Sequence, residues 1–207
     1  QRCGLIAILR GVQPHEVVPI GHALYDAGFR IIEVPLNSPE PLASIRALRD
    51  ALPADCLVGA GTVLSIDAVA DVAAAGGQII VMPHSDPDVI RAARAAGMAC
   101  APGVATLTEA YAALAAGANM LKLFPAEALP PHVLKAWRAV ITPPMALVPV
   151  GGIVPESIAP YAAAGASGFG LGSALYRPGD QAPEVAHKAA AFAREWQASF
   201  GTAPATA

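Results

Sequence analysis

Apolar positions along this chain gather into eight short runs separated by stretches of helical length. The runs are LIAILR (5–10), RIIEVPL (30–36), CLVGAGT (56–62), QIIVMP (78–83), MACAPGV (98–104), NMLKLFP (119–125), ALVPVGG (146–152) and GFGLGSAL (168–175). Between them lie segments such as PHEVVPIGHALYDAG (14–28) and SIDAVADVAAAG (65–76), and a last helix is predicted over about 183–199. Each run is short, bounded by turn residues and greasy throughout, the pattern of a parallel strand buried on both faces.

A repeated punctuation supports that reading. Ala-Gly closes a helical stretch at glycines 28, 76, 97, 117 and 165, with steps of 48, 21, 20 and 48. Each long step equals about two of the short ones, and ALP (51–53) and ITPP (141–144) stand where the missing markers are due. Glycine just past a helix supplies the left-handed backbone that ends it, and proline stops a helix by other means. Eight alternations at about 26 residues each in a chain of 207 predict an α/β protein, a compact single-domain (β/α)8 TIM barrel over residues 1–200. The competing assignment is an open, doubly wound sheet. Residues 201–207 (GTAPATA) read as a disordered tail.

Composition narrows the function classes. The chain is 55% hydrophobic and 14% charged, with a net charge of −3, so no basic footprint for nucleic acid or a membrane surface is present. No run approaches the roughly 18 apolar residues of a membrane span. Three scattered cysteines (Cys3, Cys56, Cys100) form neither a disulfide framework nor a zinc motif. With no signal-peptide pattern after Gln1, the expected location is cytoplasmic. Asp and Glu do not cluster and the five histidines have no ligand spacing, so no metal and no cofactor is expected; His84, beside Pro83, is a candidate to line a pocket.

The scarcity of charge makes its placement informative. Of three lysines, Lys122 stands inside a greasy strand, where alternation puts Met120, Lys122 and Phe124 on one face and Leu121 and Leu123 on the other. A desolvated ammonium loses its proton more readily, and a neutral amine can attack a carbonyl to form a Schiff base. The alternative is a snorkelling lysine or one paired with a structural carboxylate. Glu33 is equally out of place in RIIEVPL, and in a barrel the second and sixth strands can set it opposite Lys122. It is either a proton shuttle or the buried partner of Lys122 or Arg10.

The other strand ends are polar and glycine-rich. Arg10 suits a carboxylate or phosphate, or a salt bridge to Glu33. Thr62 can bond a substrate oxygen or merely stabilise its turn. Gly151, Gly152, Gly172 and Ser173 close the seventh and eighth runs, where many barrels hold phosphate on backbone N–H groups; two tight turns are the plainer explanation.

Seven segments carry a resemblance over nearly the whole chain: LIAILRG (5–11), EVPLNSP (33–39), VGAGTVL (58–64), PGVAT (102–106), LKLFPA (121–126), VGGIVPE (150–156) and GLGSALYR (170–177). Together they resemble the bacterial class I 2-keto-3-deoxy-6-phosphogluconate and 6-phosphogalactonate aldolases. The resemblance implies a Schiff-base lysine at Lys122 and a proton-transfer residue at Glu33. It also implies substrate contacts from Arg10, Thr62, Gly151, Gly152, Gly172 and Ser173, the last three glycines and the serine holding phosphate. The substrate implied is a phosphorylated keto-deoxy sugar acid, cleaved to pyruvate and glyceraldehyde 3-phosphate, and the assembly implied is a homotrimer. The phosphogalactonate branch is the more similar. Val150 stands where the phosphogluconate enzymes usually carry Thr, which marks it as a specificity position. Met82 and the pair Ala126–Glu127 read as departures from the family pattern. A phosphosugar isomerase using Glu33 as base, and a non-catalytic phosphosugar-binding barrel, are the competing functions.

Overall fold

Each of the eight apolar runs forms parallel β-strand in the computed structural model, which describes residues 3–201. The chain alternates β1 (Leu5–Ile8), α1 (Val17–Asp26), β2 (Ile31–Pro35), α2 (Pro41–Ala51), β3 (Leu57–Gly61), α3 (Ile66–Ala74), β4 (Ile79–Val81) and α4 (Pro87–Ala95). The fifth run makes two strands, β5 (Ala99–Ala101) and β6 (Gly103–Val104). Then follow α5 (Leu107–Ala115), β7 (Met120–Leu123), α6 (Pro131–Arg138), β8 (Ala146–Pro149), α7 (Ile158–Ala163), β9 (Phe169–Leu171) and α8 (Ala182–Phe200). The tail expected over 201–207 lies, from residue 202 on, outside the described residues.

The strands form a six-stranded parallel sheet in the order β5-β4-β3-β2-β1-β9 and a three-stranded one in the order β6-β7-β8. Neighbours follow chain order without the reversal that defines a doubly wound sheet, and the last strand lies beside the first. Pro102 explains the split fifth run, since proline has no N–H to give to a ladder. The run still bonds on both sides. Met82 N–H donates to Ala101 O at 3.1 Å, Asn119 N–H to Cys100 O at 3.0 Å, and Lys122 N–H to Pro102 O at 2.9 Å. At the other junction a parallel bridge pairs Val150 with Gly170.

Alternation sorts the strand residues into two cores. Leu5, Ala7, Ile32, Val34, Val58, Ile80, Leu121, Leu123 and Leu147 belong to a large cluster shared with the helices. Their neighbours one residue on face inward in smaller clusters, Ile6–Ile8–Val148–Val150 and Ile79–Val81–Ala101. Ile31 of β2 and Met120 of β7 pack against both inner clusters, so strands of the two sheets share one interior. Two residues further along the same faces stand Glu33 and Lys122.

The punctuation seen in the sequence is a set of helix ends. All five marker glycines have positive φ, from 76° at Gly97 to 100° at Gly117 and Gly165. Each time, the N–H of the next residue reaches back to a carbonyl in the last helical turn, as Phe29 does to Leu24 O at 3.0 Å and Met98 to Ala93 O at 3.0 Å. Helix starts are fixed by side chains, notably Ser65, Asp86 and the Thr106–Glu109 capping box.

Phe169 ties β9 to the helical layer, with edge-on contacts at 6.4 Å to Tyr161, Trp196 and Phe200. It is fully buried. Phe169→Ala is expected to lower unfolding free energy by about 3–5 kcal/mol in urea titration. A loss below about 1 kcal/mol would show that this cluster does not anchor β9.

Candidate active site

The carboxyl ends of the strands surround a cavity of about 410 Å³. Its walls include ten positions singled out from the sequence: Lys122, Glu33, Arg10, Thr62, Phe124, Val150, Gly151, Gly152, Gly172 and Ser173. These residues come from six different strand ends, so only the fold brings them together.

Lys122 and Glu33 are its most deeply set charges, 7% and 2% exposed. Neither is part of an ion pair; the four pairs found among the described residues join other groups. Glu33 Oε2 has no hydrogen-bond partner at all. The alternatives of a buried Glu33–Lys122 or Glu33–Arg10 salt bridge are therefore not what the structure contains. Instead the two groups influence each other at a distance. Burial raises the Glu33 carboxyl from 4.5 to about 7, against the opposing pull of Lys122, Arg10 and the Gly61 backbone N–H. Burial lowers Lys122 from its ordinary value, with Glu33 opposing and Arg10 assisting. Both shifts favour the neutral forms, an amine and a carboxylic acid.

Local structure holds the pair in place. The Glu33 carboxylate lies over Gly61 in the next strand, where any Cβ would collide with it. Lys122 pairs in register with Gly103 and Val148, and its Nζ sits 4.6 Å from the centre of the Phe124 ring. The ring face tolerates either a cation or a neutral amine while excluding water.

Arg10 is held beside them from the first strand's end. Its Nη1 donates to Asn37 Oδ1 at 2.6 Å and its Nη2 to Thr62 Oγ1 at 3.4 Å. The next residue's N–H, on Gly11, donates to the buried Ser38 Oγ at 2.9 Å. Thr62 itself has φ of 57°, a left-handed conformation costly for a β-branched side chain. Strain of about 1–3 kcal/mol of this kind persists where the surroundings impose it, commonly at binding sites.

On the opposite wall, Gly151 and Gly152 turn at φ of 109° and 61°. That backbone, with Gly172 and Ser173, exposes main-chain groups to the cavity. Glu127 lies directly over both glycines, in the 3₁₀ turn Ala126–Ala128 that follows β7.

Five wall residues were not foreseen, Ile8, Ile153, Val154, Ala174 and Arg177, while Pro83 was read only as the neighbour of His84 and Glu127 only as a departure from the family pattern. Ile8 was readable, two positions before Arg10 on the same strand face. Glu127, Val154 and Arg177 stand in loops whose path alternation does not report. His84 is not among the wall residues, whereas its neighbour Pro83 is; its carbonyl instead accepts from Gly103 N–H at 3.1 Å. Met82 is buried in the helix-facing core, away from the cavity wall. Among the described residues, no three His, Cys, Asp or Glu side chains gather into a metal-binding group.

Parallel strands here set a desolvated lysine and a raised carboxyl in one cavity at their carboxyl ends, and that placement defines a class, the α/β enzymes with their site at the strand ends. The family is narrower than that class: the chain matches the family model for KDPG and KHG aldolases over residues 1–187, and it belongs to that family. It is 47% identical over 193 residues to the 2-dehydro-3-deoxy-6-phosphogalactonate aldolase of Escherichia coli K12, covering 93% of this chain and 94% of that protein. Among solved structures it is similar to one described as native KDPGal, with a TM-score of 0.95, 44% identity and 98% of each chain covered. It is also similar to a designed cube-shaped cage made by fusing symmetric oligomeric domains, with a TM-score of 0.94 and 45% identity over 96% of this chain and 74% of that one.

The raised Glu33 carboxyl has a thermodynamic signature. Between its ordinary 4.5 and about 7, the folded state binds more protons than the unfolded one, so stability falls as pH rises through that window. Glu33→Gln removes the effect. The stability of the variant relative to wild type is expected to increase by up to about 3 kcal/mol from pH 4.5 to pH 8. A difference that stays constant over that range in chemical denaturation would contradict the raised value.

Proposed function

We propose that this chain is a class I aldolase that cleaves 2-dehydro-3-deoxy-6-phosphogalactonate to pyruvate and D-glyceraldehyde 3-phosphate. The observation that carries the reading is the buried, unpaired Lys122 facing the same cavity as the unpaired Glu33. Kinship with phosphogalactonate aldolases supports the substrate.

The chemistry follows from those two groups. The neutral Lys122 amine adds to the C2 ketone, and the resulting carbinolamine loses water as Glu33 gives its proton to the departing hydroxyl. Glu33, now a carboxylate, takes the proton of the C4 hydroxyl, directly or through water. As the C4 oxygen forms a carbonyl, the C3–C4 bond breaks and its electron pair passes to the iminium, giving an enamine. Glyceraldehyde 3-phosphate leaves. The enamine is protonated at C3, and water adds to the iminium to release pyruvate and restore the amine. A carboxyl with a pKa of about 7 is suited to both giving and taking a proton near neutrality.

Arg10 and Thr62 converge on one side of the cavity, suited to the substrate carboxylate and its neighbouring oxygen. Gly151, Gly152, Gly172 and Ser173 suit the phosphate. Phe124 packs beside the lysine. Val150, buried with its methyls over Gly170, presents no hydroxyl to the substrate and so favours the galactonate epimer at C4.

The two sheets close into one (β/α)8 barrel, with β5 and β6 as a single stave interrupted at Pro102; the Lys122–Pro102 hydrogen bond and the Val150–Gly170 bridge support it. The protein is a homotrimer, supported by its likeness to a cage component built from oligomeric domains and by the exposed apolar side chains Leu64 and Ile66. It works in the cytoplasm, without a cofactor; no helix is long and apolar enough to cross a membrane among the described residues.

Borohydride added with pyruvate is expected to leave a carboxyethyl adduct on Lys122, located by peptide mass spectrometry. Absence of the adduct, or its retention after Lys122→Ala, would sink the mechanism. Val150→Thr is expected to shift the ratio of kcat/KM between the galactonate and gluconate epimers toward gluconate by about tenfold. An unmoved ratio would place C4 discrimination elsewhere.

A further inference from the structure

Three cationic side chains line the cavity: Lys122, Arg10 and Arg177. The first is committed to the ketone in the proposed reaction, and the second is engaged by Asn37 and Thr62 at the end of β1. Arg177 is different. It follows Ser173 by four residues, and its Nε–H donates back to the Ser173 carbonyl at 3.1 Å. Its main-chain N–H donates to Asp180 Oδ2 at 2.8 Å, and that same oxygen accepts from Lys188 Nζ at 2.5 Å. The nearest acid in sequence is thus taken up by another cation. Among the described residues the guanidinium joins no ion pair, and its two Nη groups donate to no protein acceptor.

The site's charge balance gives those free donors a use. Glu127 lies over Gly151 and Gly152, on the wall where backbone N–H groups would receive the phosphate. A carboxylate beside a dianion is unfavourable unless a cation faces the same group. Backbone N–H groups alone bring no formal charge. We propose that Arg177 is a phosphate-binding residue, closing over the Gly172–Ser173 side of the cavity and offering its Nη groups to the substrate's terminal phosphoryl group. The proposal rests on the aldolase reading for the identity of the phosphate ester, but not for the binding of phosphate itself.

Two measurements on Arg177→Ala test it. In the first, inorganic phosphate is titrated into wild type and variant by calorimetry, which requires no catalysis; affinity is expected to fall by about tenfold or more. In the second, kcat/KM is compared on the phosphorylated sugar acid and on its non-phosphorylated counterpart. The loss on the phosphorylated compound is expected to exceed the other by at least about tenfold, through KM more than kcat. Arg177→Lys should recover part of both losses. Pyruvate trapping on Lys122 in the same variants verifies an intact pocket. Equal phosphate affinity in wild type and variant, or equal losses on the two substrates, would overturn the assignment. If wild type itself fails to trap pyruvate, the aldolase reading falls while the phosphate titration still decides the role of Arg177.

Discussion

The site depends on one constraint: two opposite charges are buried near each other and prevented from touching. Had Lys122 and Glu33 met in an ion pair, each would have kept the other ionised, and neither would be ready for chemistry. Held apart, both are pushed by desolvation toward neutrality, which costs stability and, in the proposed reaction, supplies a nucleophile and a proton donor at once. The structure therefore keeps an unfavourable arrangement at the point where it acts, and the rest of the fold supplies the rigidity that makes it persist.

That rigidity comes from the strands. Ile31 and Met120 form a floor under the pair, because each stands two residues before a charged member on the same face and packs into both inner clusters. Gly61 makes room for the carboxylate, and Gly103 stands opposite the lysine in register. A parallel sheet accommodates this arrangement well: its main-chain donors and acceptors are used in ladders, leaving side chains at the carboxyl ends as the free polar groups. The apolar wall at Ile8, Phe124 and Val150 then sets how dry the pocket is.

How far the sequence disclosed this differs by type of contact. Strand positions were legible, because alternation is local: Glu33, Lys122 and Phe124 lie where counting by two from their neighbours puts them, whereas Thr62 reaches the cavity only because its left-handed backbone breaks the alternation of Val58 and Ala60. Helix ends were legible for the same reason, since a single glycine conformation recurs at five places. The split of the fifth run at Pro102 was not read from the apolar pattern, although the proline that causes it is visible there. Arg177 and Asn37 were missed, and Glu127 was noted only as a departure from the family pattern, for a different reason. Each acts from a loop, through a contact set by the path of the backbone rather than by any period. Whether Glu33 paired with Lys122 was also beyond the sequence, since a touching pair and a separated pair have the same alternation.

The central claim is that burial pushes the Lys122 amine toward its neutral form inside the folded protein, and its own titration tests it most directly. With only three lysines in the chain, lysine-selective isotope labelling gives a spectrum of three side-chain signals, and the Lys122 signal is assigned by its loss in Lys122→Met. Followed by NMR against pH, it is expected to titrate with a midpoint below the ordinary lysine value of 10.5. A midpoint at or above 10.5 would mean that the amine stays charged, and that the separation of Lys122 from Glu33 does not prepare it to attack a ketone.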